Sequence, residues 1–380
     1  MEGIVKHRMF LALGLTGLAA ATLSVVGVVP AGADYAPQPG DVVGVGGDTP
    51  QYALTFVANG DTAGDAGFNS AGAYNRLVTF NATADANGRS AYQNGSTEGT
   101  PLPLNPTDVL RAGLNPVQRV QSSGASISAL LADTHTPEQI NFVFSASKPT
   151  ATQKATAVTN GWGGLHTVEI GTDSVQVVTD NTTDAPANLT IAQLLGIYKG
   201  TTTTWSTVGG TAGTILPELP PSGSSVYKTF LTALKVANGN TAPTLGGDVI
   251  TVEQNDPTAI TGSSNTAGAI VPFSTARLNL YNSGYFHTPN TVYPGGAAIT
   301  PGIKINNTGS GYKSSLVDYV IFRQSDLGST QPFEPGSSLN WAQTLFSNST
   351  GPRPYVATAA GQALIDAAGV TATYHDTGTN

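Results

Sequence analysis

Along this chain, apolar residues recur in short runs of two kinds, some with the period of a strand and some with that of a helix. Asp41 to Val45 is a first apolar strand running into a glycine loop, and Gln51 to Asn59 has helical spacing. Tyr74 to Phe80 alternates as a strand, and Ser126 to Asp133 forms a short helix. Ile140 to Phe144, Leu165 to Ile170 and Asp173 to Thr179 are three further strands. Leu316 to Arg323 is another, and Val356 to Ala368 is an Ala-rich helix stopped by Gly369. Strands alternating with helices predict an α/β fold.

The clearest stretch runs from Leu189 to Leu231. Thr190 with Gln193 three residues on is a capping box, and Ile191, Leu194, Leu195 and Tyr198 then follow at helical spacing to Gly200. Ile215 to Leu219 is a short run interrupted by Pro217, hence an edge or irregular strand. Ser222-Gly223-Ser224-Ser225 then opens a second helix carrying Val226, Phe230, Leu231 and Leu234 on one side. Trp205, alone in a polar turn region, is expected to be a packing anchor.

Composition narrows the class. The chain has 380 residues, no cysteine, 45 glycines and only 11% charged residues. Disulfides, thiol catalysis, cysteine-ligated metals and a cysteine lipid anchor are excluded. The formal charge of −8 argues against nucleic acid and anionic membranes as partners. It leaves a small anion open, because N–H and hydroxyl dipoles hold anions without net positive charge. Residues 1–33 read as a signal peptide, with Lys6, His7 and Arg8 before an uncharged apolar run and Ala31-Gly32-Ala33 at the cleavage site. The expectation is a secreted or cell-surface protein, with membrane association only through this segment if it stays uncleaved.

Three loops carry the candidate chemistry: Gly47-Asp48-Thr49, Ser122-Ser123-Gly124 and Ser222-Gly223-Ser224-Ser225. Each stands before a predicted helix, where Ser, Thr and Gly serve as ordinary caps or offer N–H groups, hydroxyls and the positive dipole end to an oxyanion. Ser145 and Ser147, just after a strand, are a fourth candidate pair. Asp48 either caps the helix after it or accepts a hydrogen from a protonated oxyanion. Arg119 reads as an exposed surface residue beside the second loop; Glu253 and Asp256 read as turn-forming.

These segments resemble the solute-binding proteins of phosphate ABC transporters, and especially their secreted actinobacterial relatives. The resemblance rests on Gly44-Val45-Gly46-Gly47-Asp48-Thr49-Pro50-Gln51, Ser122-Ser123-Gly124, Leu189-Thr190 through Gly200, Thr204-Trp205, Ser222 to Ser225, Glu253 to Asp256 and Ala269 to Ser274. It implies a two-domain periplasmic-binding-protein-like (type II) fold with an interdomain ligand cleft. It also implies phosphate or a similar oxyanion as ligand and an ABC permease as partner. Residues 41–179 plus 274–380 would form a discontinuous first domain and 180–273 an inserted second one. The family's arginine near Ala146 is missing, Lys148 being the nearest cation, and Gly47 and Ser225 also depart from its pattern.

No catalytic residue, cofactor or metal is expected: the histidines are scattered, and the glycine motifs fit neither a dinucleotide fingerprint nor a phosphate loop. Two other classes stay open, a surface structural or adhesive protein that kept the fold and lost the ligand, and a secreted phosphoester hydrolase. Asp85 to Pro116 reads as a long surface excursion.

Overall fold

A computed structural model describes residues 36–61, 63–80, 82, 107–120, 122–136, 138–282 and 302–379. The signal peptide at 1–33 lies outside the described residues, as do most of the excursion at 85–116 and part of the 279–312 segment.

The strands form because valine, isoleucine and phenylalanine fit a pleated surface buried on both faces. They are β1 (Val42–Gly46), β2 (Leu77–Phe80), β3 (Thr107–Asp108), β4 (Val117–Gln118), β5 (Phe142–Ser145), β6 (Leu165–Asp180), β7 (Leu216–Leu219), β8 (Ile250–Thr251), β9 (Ala269–Ser274), β10 (Ile303–Ile305), β11 (Ser314–Arg323) and β12 (Thr371–Gly378). The principal sheet runs β2-β1-β5-β11-β6-β9-β7-β8, with β10 and β12 also paired to β6, while β3 and β4 pair apart from it.

Strand β6 organises the sheet. Sequence predicts two strands here, and the structure makes them one 16-residue strand. Along one edge β6 pairs antiparallel with β11 and then β10; along the other it pairs with β12 and then β9. Gly171, between the two predicted runs, is accommodated within the strand because a Cβ there would meet Val370 and the Thr371 carbonyl at 2.5 and 3.0 Å. The register shifts opposite Asp318 and Tyr319, at the same place.

The helices are α1 (Gln51–Asn59), α2 (Ser123–Ala132), α3 (Ala151–Thr159), α4 (Ile191–Tyr198), α5 (Ser225–Ala237), α6 (Thr258–Thr261), α7 (Thr275–Asn282), α8 (Trp341–Leu345) and α9 (Ala359–Ala367). The Thr190–Gln193 capping box forms as the sequence predicts, and Thr150–Gln153 and Asn340–Gln343 form two more. The predicted helix from Val356 is broken, a 3-10 turn at Tyr355–Ala357 giving way to α9, whose N-cap Thr358 accepts from the Gly361 amide. Pro217 does not put β7 at an edge: β9 pairs with Leu216 and Pro217, and β8 with Glu218 and Leu219, so each neighbour uses a different half of the strand.

Alternate side chains feed opposite faces. Val42, Phe142, Phe144, Val320 and Phe322 join a first core with Tyr52 and Phe56 of α1. Val43, Val143 and Ile321 join another, with Ile127 and Leu130 of α2. A third core gathers Leu194, Ile197 and Tyr198 of α4, Val226, Phe230 and Leu234 of α5, and Trp205, over Val175, Val177 and Leu316. Trp205 is fully buried, as its reading as an anchor requires. Within the described end of the 85–116 excursion, Asp108, Leu110 and Arg111 are buried, while residues 112–116 are exposed as a surface segment requires. Arg111 is held there by the carbonyls of Asp41 and Gln38 and the Asn141 amide oxygen. No helix among the described residues is long and apolar enough to cross a membrane.

Candidate functional site

Three loops separated by up to 176 residues meet at one place. The first leaves β1 through Gly46 and Gly47. The Gly47 amide donates to the Phe144 carbonyl at 2.9 Å, and a Cβ on Gly47 would lie 2.7 Å from Ser123 Oγ. Only glycine lets this loop rest on the start of α2. Ser123 Oγ in turn accepts from the Ala146 amide at 2.9 Å, tying in the end of β5. Ser145 and Ser147 close on each other: Ser145 Oγ donates to the Ser147 carbonyl and accepts from its amide, at 2.8 and 3.0 Å.

The third loop completes the group. Thr49 Oγ1 and Ser225 Oγ are 2.9 Å apart. A Cβ on Gly223 would stand 3.8 Å from Ser122 Oγ, and one on Gly124 would stand 3.7 Å from Lys228 Nζ. Ser122 caps α2 by accepting from the Ala125 amide, and Ser224 caps α5 by accepting from the Tyr227 amide. Ser123, Ser224 and Ser225 are buried, whereas Ser222 and Gly223 are exposed. The starts of α1, α2 and α5 thus bring hydroxyls and dipole ends into one neighbourhood, with the Lys228 ammonium at its rim. Such an arrangement stabilises an anion through donors that need no carrier of net charge.

Asp48 does not cap a helix. The N-cap of α1 is Pro50, with no side-chain bond. The Asp48 carboxylate accepts from four side chains instead: Gln51 Nε2 at 3.1 Å and an Arg277 NH2 nitrogen at 2.9 Å on one oxygen, Gln254 Nε2 at 2.9 Å and Asn255 Nδ2 at 2.6 Å on the other. These donors fill the usual acceptor capacity of a carboxylate. The Arg277 guanidinium also lies 4.5 Å from the centroid of the Tyr52 ring, and both ends of the ion pair are buried.

Asn255 reaches Asp48 because its backbone adopts φ +54°, a left-handed conformation asparagine tolerates better than most residues. Its amide oxygen accepts from Ser274 N at 2.9 Å. The Ser274 hydroxyl donates to Asp173, which also accepts from the amides of Ser174 and Ala276. Burial pushes the Asp173 carboxyl up to about 6 despite these donors. Gln254 and Asn255 fall inside a landmark the sequence already marked, but Arg277 lies three residues past the last matched segment, Ala269 to Ser274, and carries no motif. Asp256 is structural as expected, accepting from the Thr258 amide and hydroxyl, and Glu253 is exposed.

One expectation is corrected. Arg119 is not a surface residue: it is buried in an ion pair with Asp108 at 2.5 Å, which a chain with few charges uses to seat the β3–β4 pair. The Lys148 ammonium lies 5.5 Å from the Tyr319 ring centroid, and the Lys228 ammonium stands beside the Ser122–Gly124 loop. Ala146 itself packs into the third core.

Residues 106–330, more than half of the chain, match the family model described as a PBP superfamily domain. The chain belongs to that superfamily, and its fold is the α/β architecture of the class. No curated protein matches the sequence. Similar solved structures include a human phosphate-binding apolipoprotein, at 17% identity, covering 87% of this chain and 90% of that one with a TM-score of 0.44. Others are a phosphate-binding protein from Stenotrophomonas maltophilia (15%, 67% and 82%, TM-score 0.42) and an ABC-type phosphate transport receptor from Vibrio cholerae (14%, 66% and 85%, TM-score 0.38).

Proposed function

We propose that this chain is a secreted solute-binding protein that holds a tetrahedral oxyanion, phosphate foremost, between two lobes. Residues 180–273 form the inserted lobe, and β6 and β9 are the crossings. The supporting observation is the convergence of the Gly47–Thr49, Ser122–Gly124 and Ser222–Ser225 loops at three helix starts, joined by the Thr49–Ser225 hydrogen bond. Binding draws the lobes together, and release swings them apart about the crossings. A membrane permease with its ATPase is the partner that this role requires, and the chain itself carries out no reaction.

One observation favours a second reading, a surface protein that kept the fold without its ligand. Thr49 and Ser225 satisfy each other directly, and Asp48 is fully engaged within the protein. Calorimetry of the folded protein with phosphate separates the two. Saturable one-to-one binding supports the receptor, and no heat from any oxyanion supports the second reading.

A further inference from the structure

The flank of α2 does not close on the segment that faces it. Between the C-terminal half of this helix, the end of β1 and the β3–β4 pair lies a cavity of about 160 Å³. Val45, Leu110 and Ile140 form its buried floor, and Val117, Val120 and Ala129 its walls. Exposed Gln118, Ala132 and His135 stand at its mouth.

The space has a cause in the sequence. Ala129 and Ala132 lie on one face of α2, where longer side chains would reach across to β4. Val117 and Val120 opposite them are short, branched and stiff, so neither swings in to fill the gap. The walls are also fixed. The buried Arg119–Asp108 ion pair seats the β3–β4 pair, and the Asp133 carboxylate ties the turn after α2 to the amides of Gln139 and Ile140 at 2.9 and 2.7 Å. A space bounded in this way is formed before any ligand arrives.

The same contacts decide what the cavity can take. Asp133 is engaged by those two amides and by His135 Nδ1 at 2.7 Å, and Asp108 by Arg119. The carboxylates in the walls are thus neutralised inside the protein, and a charged ligand would gain no partner from them. The remaining walls are aliphatic, and an apolar cavity of about 150 Å³ holds water poorly and takes a molecule the size of benzene.

We propose that this cavity is a binding site for a small uncharged hydrocarbon ring of about that size. It is distinct from the oxyanion loops, since Ala129 lies seven residues along α2 from Ser122, about 10 Å by the rise of a helix. A ring seated here supplies the dispersion contacts that the facing walls lack.

Benzene is the probe. Calorimetry of the full chain is expected to show saturable, one-to-one benzene binding. The thermal midpoint is expected to rise with benzene concentration, because the ligand stabilises only the folded form. Ala129→Leu fills the cavity from α2, and Val117→Phe fills it from β4. Each is expected to weaken benzene binding by about tenfold or more, because the space is then occupied by the protein itself. With fillers on two different elements, one decides the matter if the other fails to fold. The inference stands apart from the oxyanion reading: benzene binding by a protein that ignores phosphate still supports it. No saturable benzene binding by folded wild-type protein, or undiminished binding in the folded filled variants, overturns it.

Discussion

Thr49 Oγ1 and Ser225 Oγ lie 2.9 Å apart, joining the start of α1 to the start of α5 across 176 residues of chain. Both residues are buried. A neutral hydrogen bond of this kind is worth about 1 kcal/mol net. Its position matters more than its size, since it is made only when the two helix starts meet. Thr49→Ala and Ser225→Ala are each expected to weaken anion binding by about 1–3 kcal/mol, the cost of losing a buried donor to a charged ligand. In a double-mutant cycle by calorimetry the two losses are expected to be less than additive, because the residues share one contact. Full additivity would mean that they act independently.

The Asp48–Arg277 pair is expected to dominate stability around the site. Arg277→Ala leaves a buried carboxylate without its guanidinium partner, and removing one partner of such a pair costs about 3–5 kcal/mol. Asp48→Asn should cost less, because the amide still accepts from Arg277. Urea denaturation monitored by tryptophan fluorescence checks both. An Arg277→Ala protein as stable as wild type would show that the ion pair only fills space.

Stability is expected to fall as pH rises from weakly acidic to weakly alkaline. Burial pushes the carboxyls of Asp173, Asp326 and Glu218 up to about 6, about 7 and about 8. In the folded protein these groups keep protons that the unfolded chain has already released. Their stabilising contribution is therefore complete in acid and is lost as pH climbs through those values. Asp376 works in the opposite sense. Burial raises it, but hydrogen bonds from His166, Ser347 and Gly378 prevail and hold it low, so its contribution is lost only in strong acid. The thermal midpoint is expected to be higher near pH 5 than near pH 8, and Glu218→Gln should flatten the upper part of the decline. A midpoint that rises over that interval would contradict these carboxyls.

Phe230 is the side chain to cut in the third core. It is fully buried and meets Tyr198 and Tyr312 edge-on, at centroid distances of 4.8 and 5.4 Å. Phe230→Ala is expected to cost about 3–5 kcal/mol through the cavity it leaves. Val236→Ala, on the exposed side of the same helix, should change stability by less than about 0.5 kcal/mol. Equal losses at the two positions would mean that α5 is packed differently.

Much of the scaffold was legible because it depends on local rules. Gln51–Asn59 is a helix with the limits its spacing predicts, and Thr190 with Gln193 announced its cap four residues before the apolar stripe showed a period. The candidate loops were legible as helix starts, since capping chemistry and anion chemistry use the same residues. That they share one site was legible only through the family order of the loops, since no local rule near Thr49 refers to Ser225. The same limit hid Arg277, which acts through a partner 229 residues away. It also misplaced Arg119, whose burial depends on Asp108 in β3. The single strand at Leu165–Asp180 was divided because a glycine inside an apolar run reads as a break, while here it admits Val370 and Thr371 from a neighbouring segment.

The most direct test of the central claim is phosphate titration calorimetry on the folded full chain, stripped of bound anion, beside Ser225→Ala. The predicted result is saturable binding of one phosphate, weakened about tenfold or more in the variant, as expected for loss of a buried donor. Wild-type protein that is folded and gives no heat with phosphate would contradict the account.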